Sequence, residues 1–250
     1  MLIASRNSFA VPPRPTAKSY VQDGLIYHLD AAENIGYGQF SDSTLIWYNL
    51  VGGNDASIPS LTPLSWSKFG CDFKGRTYNQ SISIPIGAFP STVRTVEWCG
   101  SFTNNTDYIR YICDATSNSN TGTYTFGLGT TGLANQSGYV NAMLGDGKLP
   151  QQQINSSLPY PTLGTKFTSC VRFTTISDIY LFLNGVGTNQ FSYNNITRFP
   201  TFNVAMCMPN KSSSRTCDIV CCGLRVYNRA LTASEIAANY AVDKTRFNLP

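Results

Sequence analysis

Apolar and polar residues alternate with a period of two along most of this chain, the spacing of half-buried strands. Residues 81–86 read Ser-Ile-Ser-Ile-Pro-Ile, with Pro85 marking an edge or a strand end. In residues 95–102, Val96, Trp98 and Phe102 fall on one face. Residues 24–31, 44–56, 108–113, 124–128, 166–174, 179–183, 202–207 and 218–227 supply further runs, with polar turns between them. Asn184-Gly185, between Leu183 and Val186, predicts a type I′ hairpin, because that turn needs two residues that tolerate positive φ. Strands at this spacing, without an internal repeat, predict two packed antiparallel sheets.

The period changes once. After the run ending at Tyr227, the chain reads as an amphipathic helix over about 233–242. Thr232 and Glu235 form a Thr-x-x-Glu capping box, and Leu231 and Ile236 can close over it as an apolar staple. At the other end, residues 1–22 form an arm in which Pro12, Pro13 and Pro15 favour extended backbone, with Arg6, Arg14 and Lys18 making it basic. The expected organisation is an arm at 1–22, one domain at 23–242 and a tail at 243–250.

Composition narrows the function classes. Of the 250 residues, 42% are hydrophobic, an ordinary globular share, but only 13% are charged, about half the usual fraction. The net charge of +4 is spread without a Lys/Arg run, so nucleic acid is not an expected partner. There is no apolar run of ~18 residues, so no helical membrane insertion is expected, and the first residues lack the apolar stretch of a secretory leader. Eight cysteines lie inside apolar runs where Val or Ala would serve, which predicts buried free thiols from a reducing compartment. Cys221 and Cys222 are adjacent on a strand and point to opposite faces, so they cannot share one site. No Cys-x-x-Cys occurs and His28 is the one histidine; no cofactor is expected.

Three stretches together are similar to the LamG-like jelly rolls of the concanavalin A-like lectin/glucanase superfamily. The first strand carries Gly24, Leu25, Leu29, Asp30 and Ala31, followed by Trp47, Asn49, Leu50, Gly53 and Asn54. Residues 181–186 read Leu-Phe-Leu-Asn-Gly-Val, and residues 226–236 carry the family's "YNRALT-x-x-E-I" phrase. The resemblance covers about 24–242 and implies an all-β, two-sheet jelly-roll sandwich with a short C-terminal helix and an extended N-terminal arm.

The superfamily also implies candidate chemistry. Its retaining glycoside hydrolases need two carboxylates about 5–5.5 Å apart, carried in the laminarinase-like branch by Glu-x-Asp-x-x-Glu. Here only Glu33, Glu97 and Glu235 are present, and Glu97 has no acid at the next alternate positions, so the expectation is a protein without enzymatic activity. His28 lies mid-strand with no Gly-x-Ser-x-Gly nearby. Asp114, Asn118 and Asn120 are the candidate oxygen donors for a rim cation. Trp66 is the tryptophan expected to be partly exposed, and hence the candidate sugar platform, while Trp47 and Trp98 belong to the core. With no leader, thiols suited to cytoplasmic assembly and a basic arm of residues 1–22, the chain looks like a structural protein of a bacteriophage particle. It would be made in the host cytoplasm and docked on other virion proteins or copies of itself through Arg6, Pro12, Pro13, Arg14, Pro15 and Lys18. Its jelly roll would face host surface glycans. The alternative is a soluble or cell-surface carbohydrate-binding lectin.

Overall fold

The computed structural model describes residues 17–36, 45–58, 65–67, 69–76, 82–84, 94–103, 109–114, 126–130, 139–144, 152–159, 161–175, 178–192, 204–206, 208–209 and 217–250. The elements in order are β1 (Leu25–Asp30), α1 (Ala31–Gly36), β2 (Ile46–Trp47), β3 (Ala56–Ser57), β4 (Ser65–Ser67), β5 (Gly70–Arg76), β6 (Ile82–Ile84), β7 (Thr95–Phe102), β8 (Ile109–Asp114), β9 (Phe126–Thr130), β10 (Tyr139–Leu144), β11 (Gln152–Pro159), β12 (Phe167–Phe173), β13 (Asp178–Leu183), β14 (Val186–Ser192), β15 (Val204–Met206), β16 (Met208–Pro209), β17 (Cys217–Tyr227) and α2 (Ala233–Phe247).

The strands build the expected pair of antiparallel sheets. Among the described residues, one has eight strands in the order β14-β13-β12-β7-β17-β5-β4, with β1 also on β17; the other has nine in the order β11-β10-β9-β8-β15-β6-β3-β2, with β16 on β8. β17 organises the first sheet. One side pairs with β7 along its length; the other is shared, Cys217–Cys221 meeting β5 and Gly223–Tyr227 meeting β1. Its register slips between Cys221 and Gly223, so the strand bulges at the handover. Gly223 fits there because a Cβ would lie 2.9 Å from the Leu29 carbonyl oxygen.

Between the sheets, Leu29, Trp47, Phe73, Val96, Trp98, Ile112, Leu128, Val140, Phe167, Val171, Leu181 and Leu224 form one apolar cluster. Trp98 meets Phe167 edge to face at 5.4 Å. Trp66 belongs to this cluster too. It is 7% exposed and packs edge-on against Trp47, ring centroids 5.1 Å apart, because β4 pairs with β5 and turns the indole inward. The expectation of an exposed Trp66 is therefore corrected.

The other face of the eight-stranded sheet is covered by α2 and by residues 17–22. Cys170, Phe182, Tyr227, Leu231 and Ile236 form one apolar cluster there, and Cys99, Cys222, Phe247 and Leu249 another. The start of α2 carries the predicted capping box: the Glu235 N–H donates to Thr232 Oγ1 at 3.2 Å, and the Thr232 N–H donates to Glu235 Oε2 at 2.7 Å. The hairpin turn has φ of 51° at Asn184 and 75° at Gly185, and a Cβ on Gly185 would crowd the Tyr240 Cβ of α2 at 3.0 Å.

Three expectations about helices and ends are revised. α2 runs on to Phe247 and is closed by Asn248 in the left-handed conformation, so most of 243–250 is helix and cap. A second helix, α1, follows β1, where Asp30 Oδ1 accepts the Glu33 N–H at 3.0 Å as an N-cap. The end of the arm is not extended: Ala17–Ser19 form a 3₁₀ turn, and Tyr20 is buried.

Candidate functional site

The residues with chemical character gather on the helix-covered face. β-sheet register places His28, Arg225, Glu97 and Cys170 in one row across β1, β17, β7 and β12. Arg225 Nε donates to Glu97 Oε2 at 2.8 Å, and its two terminal nitrogens donate to Asp243 Oδ1 and Oδ2 at 2.9 and 2.6 Å. The Tyr20 hydroxyl donates to Asp243 Oδ1 at 2.7 Å, and its ring lies 4.1 Å below the Arg225 guanidinium. Asn239 ties the layer to the arm: its Nδ2 donates to Glu97 Oε2 and the Tyr227 hydroxyl, and its Oδ1 accepts the Val21 N–H at 2.9 Å. Beside this, Arg246 donates to Asp30 Oδ2 at 2.8 Å and to Glu33 Oε1 at 3.3 Å. Arg225, Glu97 and Asp243 are each at most 3% exposed.

Burial sets the protonation of these groups. It pushes the Glu97 carboxyl up, with Arg225 pulling back, and likewise the Asp30 carboxyl, with Arg246 pulling back. Burial would lower Arg225, but the Asp243 and Glu97 charges outweigh it, so its guanidinium is held well above its ordinary range. His28 is driven well below 6.5, first by burial and then by the Arg225 and Arg246 charges, so it is neutral at physiological pH. His28 Nε2 is 3.9 Å from Asp30 Oδ2, beyond hydrogen-bond reach. Each carboxylate of this layer is spent on a guanidinium, beneath a helix. Its work is positional: it fixes α2 and residues 17–22 on the sheet.

An opening lies at the end of α2. Phe69, Gly164, Thr165, Lys166, Phe247, Asn248, Leu249 and Pro250 line a cleft of about 560 Å³. Lys166 sits where the chain enters β12; its ammonium is 4.7 Å above the Phe69 ring and donates to the Phe247 carbonyl at 3.0 Å. One of the helix's last carbonyls thus orients the cation, which retains two further N–H donors. A half-buried aromatic, a cation and a rim of backbone groups suit a polar ligand with an apolar face.

The sequence-predicted candidates do not gather there. Lys18 is exposed on the 3₁₀ turn; Arg6, Pro12, Pro13, Arg14, Pro15, Asn118 and Asn120 lie outside the described residues. Asp114 ends β8 in the nine-stranded sheet. Among the described residues, no group of three or more His, Cys, Asp or Glu is placed to hold a metal ion. Trp66 presents no open ring face. Lys166 and Phe69 were missed because each lies singly at a strand boundary, and only the fold brings them beside residues 247–250.

Comparison with known proteins identifies the class. Residues 76–237 match the Laminin_G_3 family model, described as the concanavalin A-like lectin/glucanases superfamily. The chain belongs to this family, as the strand and capping motifs predict. No curated protein matches it in sequence. Among solved structures, it is similar to Trypanosoma rangeli sialidase in complex with sialic acid, with a TM-score of 0.64 and 14% identity over 93% of this chain and 34% of that one. It is similar to botulinum neurotoxin type C, from work on cell entry dependent on two ganglioside molecules, with a TM-score of 0.62 and 10% identity over 88% and 51% of the two chains. The binding domain of botulinum neurotoxin serotype G gives 0.65 and 14% over the same shares. The chain thus spans about a third of the sialidase and half of the toxin chains, and these likenesses show the fold alone. They correct one expectation: structural neighbours of this chain are sialidases, so the absence of a Glu-x-Asp-x-x-Glu motif does not exclude an enzyme, although identities of 13–14% do not make it one. Among the described residues no helix is long and apolar enough to cross a membrane.

Proposed function

We propose that this chain is a carbohydrate-binding domain and that the cleft at the end of α2 receives the sugar. The observation that carries this reading is the pairing of Phe69 with Lys166 beside residues 247–250, of which Asn248 and Pro250 are exposed. A sugar ring has an apolar C–H face that packs on an aromatic, and hydroxyls that accept from an ammonium and donate to carbonyls. Membership of a lectin and glucanase superfamily supports the reading, as do neighbours studied with sialic acid and with gangliosides. A glycan array probed with the full chain tests it. Binding should appear on a defined subset of glycans and fall at least tenfold in Lys166→Ala and Phe69→Ala. Binding that persists unchanged in both would move the site elsewhere; no binding to any glycan would overturn the function.

A second reading concerns where the domain works: on a bacteriophage particle, docked on neighbouring virion proteins through the arm. The supporting observation is that Tyr20 and Val21 clamp the arm's base onto α2, giving residues 1–16 a fixed point of departure. Deleting residues 1–16 should leave the domain folded and abolish its incorporation into particles. Unchanged incorporation would remove the arm from the account.

A further inference from the structure

The two adjacent cysteines of β17 each face another thiol. Cys221 points into the core between the sheets, where its register partner on β5 is Cys71. Cys222 points to the helix-covered face and meets Cys99 of β7, the two thiols within hydrogen-bonding reach of each other. The β7–β17 register sets Cys99 opposite Gly223, with Cys222 the extra residue of the bulge. In a bulge two residues of one strand oppose a single residue of the other, so Cys222 and Gly223 together face Cys99, and Cys222 is the one of the two whose side chain can reach it. Both thiols are free and wholly buried, roofed by Phe247 and Leu249 with Ala32 and Tyr240 alongside. The Cys222 thiol also donates to the Phe69 carbonyl at 3.1 Å, and Phe69, Phe247 and Leu249 are walls of the cleft. The pair therefore lies directly beneath the cleft.

We propose that Cys99 and Cys222 are a redox-active dithiol that closes to a cross-strand disulfide by exchange with a small-molecule disulfide of the oxidised glutathione class. One cysteine, as thiolate, attacks a sulfur of the oxidant, whose S–S bond breaks to release one reduced glutathione and leave a mixed disulfide. The second cysteine attacks the protein sulfur of that mixed disulfide, forming the Cys99–Cys222 bond and expelling a second glutathione. The two protein sulfurs lose two electrons, the oxidant gains them, and the two thiol protons end on the two glutathione thiols. Burial raises the Cys99 thiol well above its usual range, so exchange runs when the last residues lift from the pair or as the chain folds. Closure removes the thiol proton that Cys222 gives to Phe69, so the cleft wall registers the oxidation.

The test uses the full-length reduced chain, exposed to oxidised glutathione in the native state and, in parallel, refolded from denaturant in a glutathione redox mixture. Free thiols are then blocked and the digest is mapped by mass spectrometry without reduction. The expected result is a peptide pair joining Cys99 to Cys222, lighter by two hydrogen atoms than the free peptides, in most chains of at least one arm. Cys99→Ser should abolish that link and return Cys222 as a blocked free thiol. The proposal is overturned if both cysteines remain free in both arms, or if Cys222 links to any cysteine other than Cys99.

Discussion

The central strands of the eight-stranded sheet are buried on both faces, and the two faces are filled by opposite means. Towards the second sheet it presents Leu29, Val96, Trp98, Phe167 and Leu224, which associate by area and shape. Towards α2 it presents Arg225 and Glu97, equally buried but held by directed bonds to Asp243 and Asn239, with His28 packed edge-on against the Tyr20 ring. Apolar packing tolerates small adjustments. A buried ion-pair layer accepts a helix in one position only, because any slip strands a charge. The first face supplies cohesion; the second supplies register for α2, and α2 in turn places one wall of the cleft.

The difference can be tested in order of expected effect. Arg225→Met leaves Glu97 and Asp243 buried without their cation and should cost about 3–5 kcal/mol in denaturant unfolding. The triple variant Arg225→Met, Glu97→Leu, Asp243→Leu should recover most of that loss; if it does not, the layer contributes more than paired charge. In the apolar core, Leu224→Ala should cost about 3 kcal/mol with no recovery by removing a neighbour. The pH response separates the two faces next. His28 is held below its ordinary 6.5 in the folded state, so the unfolded chain takes the proton first, and stability falls as pH drops through 6.5. The slope approaches ~1.4 kcal/mol per pH unit for one proton. Glu97 and Asp30, pushed upward, act with the opposite sign as pH approaches the carboxylate range. The His28→Gln variant isolates the first effect: its unfolding free energy between pH 7.5 and 5.5 should decline less than that of the parent. An equal decline would exclude His28 as the sensor. The smallest effect belongs to the helix start, where Thr232→Ala should cost about 1 kcal/mol. The Glu235 carboxyl, held down to about 2 chiefly by Arg229, keeps its ion pair and cap as pH falls until well below the ordinary carboxylate range.

How far the sequence could be read follows from the range of each interaction. Local patterns gave the Asn184-Gly185 turn, the Thr232–Glu235 box and β7 residue for residue, because each is decided within a few positions. The family motif around Asn49 is short-range only in part: its side chain accepts the Val51 N–H and donates to the Gly52 carbonyl within the turn after β2, while the bond it accepts from the His28 N–H draws that turn onto β1. Strands β4, β5, β10 and β11 escaped because Gly, Asp, Asn, Gln and Ser dilute their alternation, and their pairing is settled by tertiary neighbours. Glu97 reads as a lone acid in sequence, since Arg225 lies 128 residues away and Asp243 farther still. Trp66 was misread for the same reason: its flanking serines suggest a surface, while pairing to β5 turns the ring inward. α1 is too short to show a helical period of its own, and its one local mark is the Asp30-x-x-Glu33 spacing behind its N-cap.

The placement of β17 also governs the order in which the molecule can be made. β17 is synthesised after all three of the strands it is inserted between, β1, β5 and β7. Until it arrives, those earlier strands expose unsatisfied edges on the ribosome, where pairing with a neighbouring nascent chain competes with waiting. A stop codon anywhere before residue 217 should therefore yield an insoluble product rather than a smaller folded domain.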